Sequence, residues 1–174
     1  MARGRVLLFV GVLLVSAGCD QATKRLAIDR LDGAPPISLA GDAVRFELTA
    51  NPGGFLSLGS GLPSELRRLV FLVLAPACVL LVCALALRSR SVSAAAMAGL
   101  GLVAGGGLGN WLDRLQAGAV TDFVSLGVGG LWTGIFNLAD VAVVAGVVWL
   151  ACARSDGPSQ RSPSERPEAE GPER

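Results

Sequence analysis

Apolar residues gather in four stretches, Val6–Gly18, Leu69–Leu87, Val92–Gly109 and Ile135–Ala153, separated by polar or Gly-rich connections. The second and fourth each run 19 residues, close to the roughly 20 that a helix needs to cross the hydrocarbon core of a bilayer. The third, SAAAMAGLGLVAGGGLG, is weak in hydropathy. Its small residues let helices approach closely, so it reads as a span packed inside a bundle. The first stretch has only about 13 residues, about 20 Å of helix against a core of about 30 Å. It spans only if the helix continues through CDQATKRLAIDRL. Asp20 and Lys24 would then share one face at i,i+4 and neutralise each other in the outer part of the membrane. The pattern predicts a membrane α-helical protein with four transmembrane helices.

Between the first two spans, ISLAGDAVRFELT alternates apolar Val44, Phe46 and Leu48 around a Gly-Asp turn and predicts a small β-hairpin. Gly-rich turns follow in NPGGFLSLGSGLP. This β element, residues 37–60, belongs on the outer, periplasmic surface. Arg3, Arg5, Arg88, Arg90, Arg154 and Arg161 all fall on one side of four alternating helices, which makes both termini cytoplasmic. Arg25, Arg30, Arg45, Arg67 and Arg68 in the first loop weigh mildly the other way. Residues 1–153 form the membrane domain. The segment 154–174 is rich in Ser, Pro, Glu and Arg without apolar periodicity and is expected to be disordered.

Composition narrows the chemistry. The chain is 52% hydrophobic and 17% charged with a net charge of +1, where a soluble domain would be about a quarter charged. No basic stripe with interleaved aromatics points to nucleic acid. There is no histidine, which excludes Ser-His and Cys-His nucleophile pairs and HExxH zinc sites. Cys19, Cys78, Cys83 and Cys152 lie in or beside apolar runs without metal-ligand spacing and read as small buried hydrophobes. The N-terminal SAGC imitates a lipoprotein signal ending at Cys19. However, Ser16 stands where a large aliphatic residue is usual, and three further spans follow.

The candidate chemistry lies in the most apolar third of the chain. A carboxylate at bilayer depth costs several kcal/mol, roughly 2.5–3.5 on insertion scales, and by default marks a functional site. Asn110 and Asp113 are three apart at the outer end of the third span, and Asn137 and Asp140 three apart at the start of the fourth. That spacing puts each pair on one helical face. The two helices run in opposite directions, so both pairs reach one depth, with Asp122 in the connection between them. Arg114 is adjacent in sequence to Asp113 and can balance it, as can the helix ends. Asp122 and Asp140 have no cationic neighbour in sequence. Carboxylates sharing a poorly solvated site hold one proton between them. Such a pair suits hydrolysis without a covalent intermediate, one member activating water and the other polarising a carbonyl. Either aspartate could hold the proton.

DQATK (Asp20–Lys24), GNWLDR (Gly109–Arg114), VTDF (Val120–Phe123) and FNLAD (Phe136–Asp140) resemble, in order, the motif blocks of bacterial signal peptidase II, over about residues 6–153. The resemblance implies an aspartic protease of the bacterial inner membrane that removes signal peptides from diacylglyceryl-modified prolipoproteins at the lipobox cysteine. It implies no metal or organic cofactor, a monomer among membrane lipids, and sensitivity to the cyclic peptide globomycin. The catalytic pair falls on Asp122 and Asp140. Supporting residues fall on Asp20, Lys24, Asn51, Gly53, Asn110, Asp113, Arg114 and Asn137. One block departs: the family has Asn-x-Gly-Ala-Ala-Phe-Ser where this chain has Asn51-Pro-Gly-Gly-Phe-Leu-Ser57, so Phe55 and Leu56 are exchanged relative to the pattern. Two other classes compete. One is a Ser-Lys protease using Lys24 with Ser57 or Ser60, and the other is a non-catalytic scaffold or small transporter, which would carry polar residues through the bilayer midplane.

Overall fold

A computed structural model of the chain describes residues 2–88 and 92–155. Arg90, Arg161 and the remainder of the tail lie outside them. The first helix, α1 (Ala2–Leu31), is continuous for 30 residues, so the short apolar stretch does continue through Asp20 and Lys24. The expected hairpin follows, β1 (Ile37–Leu39) on β2 (Val44–Asn51), with Ile37 paired to Phe46. A single 3-10 turn (Phe55–Ser57) leads into α2 (Ser64–Arg88). Then come α3 (Ala94–Ala117), β3 (Val120–Val128), β4 (Leu131–Trp132) and α4 (Leu138–Ser155).

Local chemistry sets the helix ends. The Ser93 hydroxyl accepts from Ala96 N–H at 3.1 Å and caps α3. At the other end Gly118 takes the left-handed conformation (φ 75°) and donates back to the Arg114 carbonyl. Pro76 inside α2 has no N–H for the carbonyl of Leu72, four residues earlier. The helix widens to a π-turn over Leu69–Leu74, and the Leu72 carbonyl accepts instead from Trp111 Nε1 at 3.1 Å.

The sheet is larger than the sequence suggested. The segment around Asp122, read as a connection, is strand β3, which pairs antiparallel with β2 and with β4 to give the order β1-β2-β3-β4. The β element therefore draws on residues 120–132 as well as 37–60. The register sets Thr49 opposite Asp122 and Asn51 opposite Val120. The backbone returns beside β3, where Phe136 O accepts from Phe123 N and Val124 N at 3.1 Å each, and enters α4.

Among the described residues, three helices are long and apolar enough to cross a membrane: Arg3–Leu31, Ser64–Arg88 and Ala94–Ala117. The apolar run of the last helix, Leu138–Ala153, is shorter, because Asn137 sets the helix start two residues inside the apolar stretch. Large apolar side chains such as Leu7, Val15, Leu80, Leu81 and Trp149 face outward. With exposed charges such as Arg25, Asp29, Glu65 and Arg68 near the helix ends and apolar side chains over the outward faces between, this is an integral membrane protein. Cys19 and Cys78 belong to this outward surface, while Cys83 packs with Phe9, Met97, Leu100 and Ala104. The reading of all four cysteines as buried is corrected accordingly: in a membrane protein an apolar side chain is as well placed toward lipid as toward the core.

Glycines on α3 let its neighbours close in. A Cβ at Gly106 would run into the backbone carbonyl of Ala139 and, at 3.0 Å, Val143 Cγ2, whereas one at Gly107 meets nothing within 4 Å. Gly106→Ala is expected to cost about 1–3 kcal/mol by forcing α3 from α4. Gly107→Ala should be neutral or slightly stabilising. Thermal unfolding of the two variants side by side checks the packing.

Candidate active site

Five elements converge at one end of the bundle, and most of the residues singled out in the sequence meet there. Asp20, Lys24, Asn51, Asp113, Asp122, Asn137 and Asp140 are all buried. Lys24 Nζ reaches Asp20 Oδ2 at 2.8 Å, Asp113 Oδ2 at 3.0 Å and Asn110 Oδ1 at 2.8 Å. The i,i+4 pair of α1 thus extends across to α3. Asp20 Oδ1 accepts from Ala139 N–H at 2.9 Å, tying α1 to the first turn of α4. Asp113 also accepts from Gln21 Nε2 at 2.8 Å and from Thr121 N–H at 3.0 Å.

Asp113 therefore pairs directly with Lys24, while Arg114 acts on it only at longer range. Consecutive residues on a helix point about 100° apart, and Arg114 turns the other way. Its Nη2 donates to Gly53 O at 2.5 Å and its Nη1 to Asn110 O at 3.0 Å, with the guanidinium 4.9 Å over the Phe71 ring. This clamps the NPGG loop onto α3. Gly53 is required there, since a Cβ would meet the Leu58 and Ser57 carbonyls and Ser60 N at 2.7–2.9 Å. Phe55 and Leu56, the exchanged pair, are exposed, and Leu56 and Ser57 hold left-handed φ of 50° and 64°.

Asn137 is the hub. Its Oδ1 accepts from Asp140 N–H at 3.0 Å, the N-cap of α4. Its Nδ2 donates to Asp122 Oδ1 at 2.6 Å and Asn110 Oδ1 at 3.1 Å. Asn51 mirrors it: Oδ1 accepts from Gly53 N–H at 2.9 Å, and Nδ2 donates to Asp122 Oδ2 at 2.8 Å. Asn110 Nδ2 donates to Asp140 Oδ1 at 2.9 Å. Burial pushes the Asp122 carboxyl up to about 6; the amides of Asn51 and Asn137 hold it down, and the charge of Asp140 adds to the rise.

A four-helix bundle with a small antiparallel sheet at one end is also the shape of two solved bacterial membrane enzymes. They superpose with TM-scores of 0.69 and 0.70, cover 94% and 89% of this chain and 94% of each of theirs, and share 21% of residues. The family description "Signal peptidase (SPase) II" matches residues 12–154. The chain belongs to the signal peptidase II family. Among curated relatives of this family, the lipoprotein signal peptidase of Rhodococcus jostii is 38% identical, with 84% of this chain and 71% of that protein aligned. Those of Mycobacterium bovis and Chlorobium luteolum are 33% and 34% identical over 70% and 88% of their lengths. All ten site residues carried over from signal peptidase II motifs fall within this one polar network. Gln21, Phe71 and the backbone of Thr121 join it without having been singled out. Gln21 lies inside the DQATK block, but nothing in its type or spacing marks it, and Phe71 carries no sequence signal.

Proposed function

We propose that this chain is an aspartyl endopeptidase that removes signal peptides from diacylglyceryl-modified prolipoproteins at the lipobox cysteine. The observation that carries the reading is Asn137. One amide caps the helix that bears Asp140 and holds the carboxylate of Asp122, which joins two acids from separate elements at the end of an apolar bundle. Family membership supports the substrate class, since the relatives are named lipoprotein signal peptidases. The position supports the mechanism: acyl chains stay in the bilayer while the peptide bond reaches the carboxylates at its edge.

In this reading α4, 18 residues and about 27 Å long, is a fourth span. The arginines flanking the helices put both termini in the cytoplasm and the sheet on the periplasmic face of the inner membrane. Asp20, Lys24, Asn51, Gly53, Asn110, Asp113, Arg114 and Asn137 hold the pair in place. The enzyme works as a monomer without metal or cofactor. A Ser-Lys mechanism is disfavoured because Lys24 commits its ammonium to Asp20, Asp113 and Asn110. A transport role is disfavoured because the polar network sits at one end of the helices.

Purified protein in lipid should cut a diacylglyceryl-modified prolipoprotein at the lipidated cysteine and leave the unlipidated precursor uncut. Well-folded protein that cuts neither, or both equally, would sink the assignment.

A further inference from the structure

Phe71 reaches the site because α2 is irregular. In a regular helix Leu72 would share one face with Val79, Cys83 and Ala86, which lie 7, 11 and 14 positions further on and pack in the core with Phe9, Met97 and Leu100. The π-turn over Leu69–Leu74 takes up about one extra residue, so Phe71 inherits that direction and turns toward α3. The bond from Trp111 Nε1 to the Leu72 carbonyl fixes the register.

Two groups close on the ring. The Arg114 guanidinium lies over it, 4.9 Å from the centroid and within reach of cation–π attraction. Two hydrogen bonds hold that guanidinium, to Gly53 O and Asn110 O, while its buried Nε has no acceptor among the described residues. The backbone of Gly54 lies against the ring edge: a Cβ there would come within 2.9 Å of Phe71 Cε1 and 3.0 Å of Cζ. Gly54 has extended backbone (φ −93°, ψ −155°), so the contact and not the conformation favours glycine.

We infer that Phe71 is a positioning residue for the peptidase: wedged between Arg114 and Gly54, its ring sets where the NPGG loop holds Asn51 against Asp122. The path is short. The ring supports Arg114, Arg114 holds the Gly53 carbonyl, and Gly53 N–H orients Asn51, whose amide donates to Asp122. Arg67 ties the far end of the loop through the carbonyls of Ser60 and Leu62, which leaves the near end to the ring. The space that a methyl group at position 54 would need is the space Phe71 fills. The inference rests on the peptidase reading and deepens it.

Hydrogen–deuterium exchange of the protein in lipid tests the wedge without turnover. Phe71→Leu keeps an apolar side chain and loses the ring. The amides of Gly54, Ser57 and Leu58, which close the turn, should then exchange about tenfold faster, and those of α4 should not change. Val79→Ala loosens α2 in the core without touching the ring. It should lower the melting temperature and leave the loop amides as they are. Loop exchange that is unchanged in Phe71→Leu, or raised equally by Val79→Ala, would overturn the inference.

Cleavage of the lipidated precursor supplies the second readout. Phe71→Leu should lower kcat about tenfold with KM near wild type, and Gly54→Ala about as much, since the added methyl pushes the ring aside. Joined, the two should be no slower than Phe71→Leu alone, because the methyl enters space the ring has left. Losses that multiply would show that Gly54 and Phe71 act separately and would overturn the inference. A wild type that cuts no precursor while the loop amides respond as expected would count against the peptidase reading alone.

Discussion

Asp122→Asn and Asp140→Asn are each expected to lower cleavage by about 10²–10⁴-fold, the range that a positioned acid or base supplies. Each should also cost some stability. An amide at 122 must turn its NH₂ toward either Asn51 or Asn137, both of which present donors there. One hydrogen bond becomes a clash of donors in a buried site, at about 1–3 kcal/mol. At 140 the carboxylate accepts from Asn110 Nδ2 and from the Asn137 backbone N–H, so the amide also has two donors to satisfy. Asp140→Asn should be inactive while still folded. The double variant should be no slower than either single one, as for groups that act as a unit. Cleavage by Asp140→Asn within tenfold of wild type would remove that residue from the chemistry.

The helices and the depth of the polar residues were legible because each depends on short-range spacing. Asn110 with Asp113, Asn137 with Asp140, and Asp20 with Lys24 are all pairs within one helical turn, and period alone puts each on a common face. What failed depended on partners far along the chain. VTDF became a strand only because β2, some 70 residues earlier, offers a free edge opposite it. Asp122 and Gly127 within that strand are weak strand formers in isolation. Asp113 seemed matched to Arg114 by adjacency, yet its cation comes from α1. The resemblance named Asn51 and Gly53 but not their work. Only the fold reveals that Gly53 orients Asn51 through its N–H and anchors Arg114 through its carbonyl.

Lys24→Ala is expected to be the most destabilising single change in the chain. Lys24 is buried, and its ammonium serves two carboxylates that are themselves buried. Removing one partner of such a cluster leaves charge uncompensated in a poorly solvated site, at about 3–5 kcal/mol. For a chain of this size that corresponds to a fall in melting temperature of about 10 °C. The damage reaches the chemistry through Asn110, whose Oδ1 loses the shorter of its two hydrogen bonds and keeps only the one from Asn137, so its hold on Asp140 loosens. Activity should fall even where the protein remains folded. Combining Lys24→Ala with Asp113→Asn removes one of the stranded charges and should recover part of the stability. It should recover little of the activity, because Asn110 still lacks the Lys24 hydrogen bond. A Ser-Lys protease would behave differently: Ser57→Ala and Ser60→Ala would include one variant as inactive as Lys24→Ala, with no loss of stability. Wild-type melting of Lys24→Ala would show instead that Asp20 and Asp113 are protonated in the native protein, and would locate the cluster's protons on α1 and α3.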